Sequence, residues 1–493
     1  MSRTVLRGLG WSYAGSVLSL LLLLGYTACT ARLVSPAAFG QYALATTVIT
    51  LFGYFSNAGL TTCLLRADAL TGALLRTARL AAVLTGTACW ALAEGVAALI
   101  DSDWLGGQAG PLLQLLALQL LFQPSAAVAL AGLRRAGRPR AATLLESAGQ
   151  LAGCAAGLAL LFAGWNPWGL TVASPVSGLI LSLGGVLLPT RSLPHGPAVP
   201  LRDLLGQSGW FAGFGLVESL TNNAPLWCAG TLFGPTAAGH LSRAAMCSGI
   251  PLTALATGLH RASAPVLAEA RAGNPARRVP ERAVFDLVCA ASAAGLIGFG
   301  AVAGAGPGAL RLLLGPGWDT AAGLLPLLAL GAACSLLCST AISVDEVRRD
   351  PRSCAAAQLT VIAGTVGALL LAAGTHSVPL LALAATAPGL GHAVQLWRWR
   401  TQGVLDVRRL VRAHLVHLAL GAGLFLAGTA ASAPAAFGPG PWLPALAVLV
   451  TAATYWPLRR FIPAAQLLQR RGLLPRPRPA QRRGASATLT SPR

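Results

Sequence analysis

Lysine is missing from this chain: all 36 of its basic residues are arginine. Acids are scarce as well, 15 Asp and Glu in 493 residues. Charged residues therefore make up only 10% of the chain, against roughly 25% in soluble domains, which excludes an ordinary soluble fold. No CxxC occurs, and most of the ten cysteines lie inside apolar segments, where a thiol behaves as a small hydrophobe. Cys334 and Cys338 share a helix face but have no His or carboxylate beside them, so neither a metal nor any other cofactor is expected. No GxSxG, phosphate-binding loop or usable Cys–His pair is present. Asp101-Ser-Asp103 is a DxD in a connection of only ~10 residues and reads as a solvated helix end. Enzymatic activity is not expected.

Long hydrophobic segments fill the chain instead, with 55% apolar residues and a mean hydropathy of +0.64. They recur from Leu9 to Leu458, and arginine falls in every second connection between them. The basic connections are Arg66–Arg79, Arg134–Arg140, Arg191–Arg202, Arg261–Arg282, Arg348–Arg352, Arg398–Arg412 and the tail from Arg459. The arginine-poor ones surround Ser35-Pro36, Asp101–Gly107, Trp165–Trp168, Gly234-Pro235, Gly304–Thr320, Gly374–Ser377 and Ser432–Pro441. Positive loops stay in the cytoplasm, so the pattern predicts about 14 membrane helices of ~18–25 residues with both termini inside. In a soluble protein the net charge of +21 would speak for nucleic acid; here the anionic inner leaflet is the counter-charge. Trp11, Trp104, Trp165, Trp168, Trp397, Trp399, Trp442 and Trp456 fall near segment ends, as an interfacial belt does. Arg3 and Arg7 before a Leu run, and Ala28-Cys29, resemble a signal segment. The first segment stays apolar for over ~20 residues and joins the repeat described next, so it reads as a membrane helix.

Leu33–Ala45 lies over Leu232–Ala244 without gaps, matching Pro36 to Pro235, Ala38 to Ala237 and Gly40 to Gly239. Each copy is a short turn opening a helix, after the first and the seventh spans. Pro suits a helix start, and Gly permits close helix approach in lipid. The expected architecture is all-α: two pseudo-symmetric six-helix bundles, helices 1–6 and 7–12, with helices 13 and 14 appended. The boundaries are 1–188 and 204–397 for the bundles, 189–203 for a Pro-rich linker and 398–458 for the appended pair, which a basic loop precedes. Residues 459–493 are expected to be a basic disordered cytoplasmic tail.

The stretch Ala31–Ala45 resembles the opening signature of the bacterial oligosaccharide flippases, which export polysaccharide precursors. Gly239–Met246, Pro251-Leu-Thr253, Ala264–Arg271 and Gly315–Pro326 are similar to later signatures of that family, and together they cover helices 1–12. The resemblance implies a bacterial plasma-membrane transporter, of the superfamily that includes multidrug cation antiporters and the lipid II flippase. It implies a polyprenyl-pyrophosphate-linked glycan as substrate, moved from inner to outer leaflet by alternating access, with glycan-assembly enzymes as further partners. The chain departs from the family at Pro225, where an acid is often found, and at Asp345–Pro351, where a Gly-Arg turn is usual. The alternatives are a cation-coupled antiporter, which would need an acid-rich cavity, and a polytopic glycosyltransferase or polymerase, which would need larger outer loops.

Intramembrane ionisable groups are the candidate site residues. Arg32 and Arg243 break the positive-inside pattern, and a guanidinium fork suits phosphate oxygens. Headgroup snorkelling is the structural alternative for both. Glu218 and Glu94 are the deepest acids and the candidates for ion coupling, with Glu218 also a partner for Arg243. Asn57, Asn222, Asn223, Gln41 and His240 are candidates for hydrogen bonds to sugar or to neighbouring helices. Glu146 is expected to pair with Arg138 or Arg140.

Overall fold

A backbone inside lipid must satisfy its own hydrogen bonds, and for long apolar segments the helix does so locally. The computed structural model describes residues 3–56, 60, 64, 70–99, 109–185, 201–272, 280–432 and 443–455, with side chains except at 3–14, 109, 201–215 and 260–272. It is all-helical, with no strand among the described residues. Fourteen helices follow in order among the described residues. The first six are α1 (Arg3–Leu33), α2 (Pro36–Ser56), α3 (Gly72–Leu99), α4 (Ala109–Arg135), α5 (Pro139–Phe162) and α6 (Trp168–Gly184). The next three are α7 (Leu201–Phe233), α8 (Pro235–Ala272) and α9 (Glu281–Leu314), the last broken by a π turn at Ala293–Ile297. Then come α10 (Asp319–Val347), α11 (Pro351–Thr375) and α12, which runs Val378–Leu383, through a 3-10 turn, and on over Ala387–Thr401. The last two are α13 (Val407–Ser432) and α14 (Leu443–Thr454).

Helix ends follow local chemistry. Pro opens α2, α5, α8 and α11, where its missing N–H costs no hydrogen bond. Asp350 caps α11 by accepting from the Ser353 amide at 3.1 Å. Gly234 and Gly315 end α7 and α9 at φ of 88° and 87°, a conformation that favours glycine.

Among the described residues, eight helices are long and apolar enough to cross a membrane. α2, α7 and α8 are not among them, and they are the helices that carry Gln41, Glu218, Asn222, Asn223, His240 and Arg243. A helix with one face on a polar space cannot be apolar all round.

Apart from α2, which packs mostly on the other lobe, helices α1–α6 pack mainly on one another, as do α7–α12, while α13 lies along α9 and α14 against both. The two lobes meet through α2 on α7 and α8, α1 on α9, and α3 on α7. The largest buried cluster spans this junction at the arginine-poor end, from Ala31, Val34 and Phe39 to Ala238, Leu241, Leu314 and Trp318. The matching turns of the repeat lie there against each other. A methyl group added at Gly40 would strike the carbonyl of Pro235, and one at Gly239 would strike the carbonyl of Pro36. The reciprocity places Pro36 and Pro235 in equivalent turns at one face. Of the expected linker, residues 189–200 lie outside the described residues, as does the tail after 455.

Candidate functional site at the lobe seam

The seam is built from the ends of α1, α2, α8, α9 and α10. Trp318, 1% exposed, is wedged between the lobes. Its indole N–H donates to the carbonyl of Ala31 at 3.1 Å. Its ring meets Phe39 edge-on at 5.5 Å and His240 edge-on at 5.6 Å. On the rim, Asn166 Nδ2 donates to the Leu33 carbonyl at 3.1 Å within the first lobe. Arg32 is exposed and donates from Nη2 to the Leu312 carbonyl across the seam at 3.1 Å. It thus satisfies an open carbonyl at the C-terminal end of α9, where a cation is also favoured by the helix dipole.

Arg243 lies one turn further along α8 from His240. Its Cζ stands 4.6 Å from the centroid of the Phe39 ring in the other lobe, a cation–π contact. Nη1 reaches only the thioether of Met246, at 3.6 Å, while Nε is buried without a protein partner. Tyr26 and Tyr42 are its electrostatic neighbours from the first lobe, together with Cys247 from its own helix. No carboxylate pairs with it; the four described ion pairs lie elsewhere, at Arg134–Glu146, Arg311–Asp319, Arg348–Asp345 and Arg398–Asp350. The guanidinium is therefore held by aromatic faces and left short of acceptors.

The opposite face of α8 lines a second space. A cavity of about 290 Å³ lies within the second lobe, between α7, α8, α10, α11 and α12. Its polar lining is neutral: Asn222, Asn223, Ser242, Ser248, Ser335 and Thr365 are representative, and no charged side chain takes part. Asn223 is partly engaged by its own helix, donating to the Ser219 carbonyl at 2.8 Å.

The sequence candidates therefore separate. Arg32, His240 and Arg243 gather at the seam, and Asn222 and Asn223 at the cavity. Gln41 is half-buried on α2, next to the Gly40 contact. Asn57 lies outside the described residues, as do Asp101 and Asp103. Glu94 is half-buried and accepts from Trp90 Nε1 at 3.1 Å, one turn back on α3. Glu218 is exposed and has Tyr54 of α2, not Arg243, as its neighbour. Depth explains the separation. Glu218 lies about 22 Å from the α7–α8 turn and Arg243 about 12 Å, at 1.5 Å per residue. Glu146 pairs with Arg134 across the α4–α5 turn at 3.1 Å. Sequence reasoning missed Phe39, Trp318, Tyr26, Tyr42 and Met246. Their one signal was Phe39 inside the repeat, since aromatic residues in apolar helices are usually read as packing.

The profile of a family described as polysaccharide biosynthesis protein matches residues 29–322, well over half of the chain. No curated protein matches. Among solved structures, the fold is similar to a lipid II flippase, MurJ, in an inward closed conformation, with TM-score 0.64 and 13% identity over 91% of this chain and 99% of that one. It is also similar to an inward-facing multidrug resistance MATE family transporter of the MOP superfamily, with TM-score 0.55 and 14% identity over 80% and 96%. A MOP superfamily transporter from Pyrococcus furiosus gives TM-score 0.54 and 14% identity over 83% and 96%. At these identities the likeness shows the fold.

Proposed function

The chain belongs to the polysaccharide biosynthesis protein family, and from that premise we propose that it flips a polyprenyl-pyrophosphate-linked oligosaccharide across the bacterial plasma membrane, from inner to outer leaflet. The observation that carries this reading is Arg243: a guanidinium at the lobe seam, with an unpartnered Nε and no acid beside it. Burying such a charge at membrane depth costs at least ~2.5 kcal/mol unless it is compensated. A pyrophosphate supplies several oxygens matched to the planar fork. The neutral hydroxyls and amides of the second-lobe cavity suit sugar hydroxyls, and the polyprenyl chain stays in lipid.

The seam is closed at the arginine-poor end, which the arginine distribution assigns to the outside, with both termini in the cytoplasm. Pyrophosphate bound to Arg243 would draw it off Phe39 and so weaken a contact that holds the lobes together. Substrate binding and opening would then be linked, because a ligand shifts an equilibrium by its differential affinity for the two states. The cation-antiporter reading has less support, since no carboxylate lines the described cavity and Arg243 stands at the seam. The short described connections likewise leave little room for a glycosyltransferase site.

The test is glycan export in cells. Arg243→Ala should abolish export at unchanged protein level. Arg243→Lys should restore it in part, because a point charge replaces a fork. Normal export by Arg243→Ala would leave the guanidinium as a seam-packing group only.

A further inference from the structure

A buried polar cluster lies apart from both the seam and the cavity, where α9, α12 and α13 meet. His392 on α12 and His414 on α13 face each other with Nε2 atoms 3.1 Å apart. One turn along α13, His417 Nδ1 lies 3.0 Å from Ser292 Oγ of α9. His392 is 5% exposed, and His417, Ser292 and Gln395 are 0% exposed. The Nδ1 atom of His414 and the Nε2 of His417 are buried without a protein partner, and the amide of Gln395, one turn along α12, is the hydrogen-bonding neighbour of His392. His414 lies about two turns into α13, ~10 Å along the helix, so the cluster is at membrane depth. Unsatisfied groups there are expensive to keep, and an intramembrane ionisable cluster marks function by default.

The chemistry of the pair is specific. Two neutral imidazoles this close share one hydrogen, Nε2–H of one ring donating to Nε2 of the other. The accepting ring then carries its own proton on Nδ1, and the donating ring has a bare Nδ1. One added proton enters there and gives an imidazolium hydrogen-bonded to an imidazole. A second would set two cations 3.1 Å apart, so the pair takes one and titrates as a unit. A metal fits less well, because no three or more His, Cys, Asp or Glu converge on one point among the described residues. The electrostatic neighbours of His414 are the other two imidazoles, with no carboxylate among them. Other titratable or charged groups on the neighbouring elements are Asp286 and Cys289 on α9, Cys338 and Asp345 on α10, Arg409 and Arg412 on α13, and Tyr455 after α14. Asp345 is held by Trp399 and Arg348, and Tyr455 donates to the Leu420 carbonyl.

The cluster is also joined to the seam. Ser292 is the last residue before the π turn Ala293–Ile297. Such a turn holds one residue too many for the α ladder, and π turns concentrate at functional sites. Beyond it α9 runs along α13 backbone to backbone, Gly300 on Gly421 and Gly304 on Gly428. It ends near the Leu312 carbonyl that Arg32 of the first lobe holds.

We propose that His392, His414 and His417, with Ser292 at the π turn of α9, form a proton-binding site that takes up one proton and couples it to lobe movement along α9. Only the coupling half rests on the transport reading.

Two measurements on the full-length protein in lipid vesicles test this. In the first, protein labelled with 15N-histidine is titrated from pH 8 to pH 4 by NMR. Two of its seven imidazoles should show scalar coupling across an N–H···N bond and take up one proton together, and His414→Asn should abolish both signals. His414→Gln replaces that variant if it is not recovered. Rings that stay unprotonated to pH 4, or that titrate separately near ~6.5 as solvated imidazoles do, would overturn the site. So would stoichiometric binding of zinc at the same resonances. In the second, an imposed pH gradient should accelerate movement of a polyprenyl-pyrophosphate lipid several-fold in the wild type, and His392→Asn should make the rates with and without the gradient equal. Wild-type transport indifferent to the gradient would overturn the coupling. Proton uptake by the pair without any pyrophosphate-lipid movement would leave the site standing and overturn the transport reading.

Discussion

Gly40→Val places a branched side chain against the Pro235 carbonyl, at the point where the two copies of the repeat touch. The obstacle is backbone on a helix start, so it cannot rotate away as a side-chain tip does. Overpacking of this kind costs about 1–3 kcal/mol, and here the cost falls on the closed seam alone, because separated lobes leave Gly40 free. At 1.4 kcal/mol per tenfold, the closed population should fall relative to the open one by roughly 5- to 150-fold. Spin labels at Trp165 in the first lobe and His376 in the second, both exposed at arginine-poor turns, report this as an electron–electron distance in a cysteine-free background. Wild type should give mainly the short distance, and Gly40→Val a longer population. Gly25→Val, where nothing lies within 4 Å of the added carbon, is the control. If Gly40→Val reproduces the wild-type distances, the glycine contact is not what closes the seam.

Trp318→Phe removes the indole N–H bond to the Ala31 carbonyl and should cost about 1 kcal/mol, read as a lower melting temperature with the fold retained. Glu146→Gln should change stability by no more than ~1 kcal/mol, since both members of its pair with Arg134 are exposed. Asp350, in the α10–α11 turn, is pushed up by partial burial. Hydrogen bonds from Gln402 and the Ser353 amide, and the charges of Arg398 and Arg348, outweigh this and hold it below the ordinary carboxylate value. A depressed folded value contributes stability that is present above the unfolded value, near pH 4, and lost as pH falls through the folded one. The melting temperature should therefore drop on acidification below about pH 4, and Asp350→Asn should flatten that drop. Impermeant thiol labelling of single cysteines should find Trp165, Asp319 and His376 outside and Arg138, Asn274 and Asp350 inside; an outer location for Asn274 would refute the assigned topology.

Much of this architecture is legible in the sequence, because lipid simplifies the code. Arginine placement divides the chain into fourteen helices and sorts the turns to two faces, since charge and hydrocarbon are immiscible. Pro36 with Gly40, and Pro235 with Gly239, mark the repeat because helix starts and close approaches have few residue solutions. Side-chain partners across helices are harder to read. Glu218 sits on the helix adjoining Arg243 and is a candidate partner by sequence, yet counting residues from the turn puts their depths about 10 Å apart. The cation–π contact of Arg243 with Phe39 joins residues 204 positions apart, and no local pattern specifies which aromatic face a long side chain will find. The histidine pair escaped for the same reason. His414 and His417 share a face of α13, but their meaning depends on His392 and Ser292, which only packing brings to them.

The central claim is that this seam moves a pyrophosphate-linked glycolipid, and reconstitution tests it most directly. Purified protein goes into vesicles that hold a fluorescent polyprenyl-pyrophosphate oligosaccharide in one leaflet, and an impermeant quencher reads its arrival in the other. Wild type should move the lipid, the Arg243→Ala variant should not, and the monophosphate analogue should cross far more slowly than the pyrophosphate. A wild-type protein that leaves the pyrophosphate lipid in place while exchanging an organic cation for protons would contradict the account.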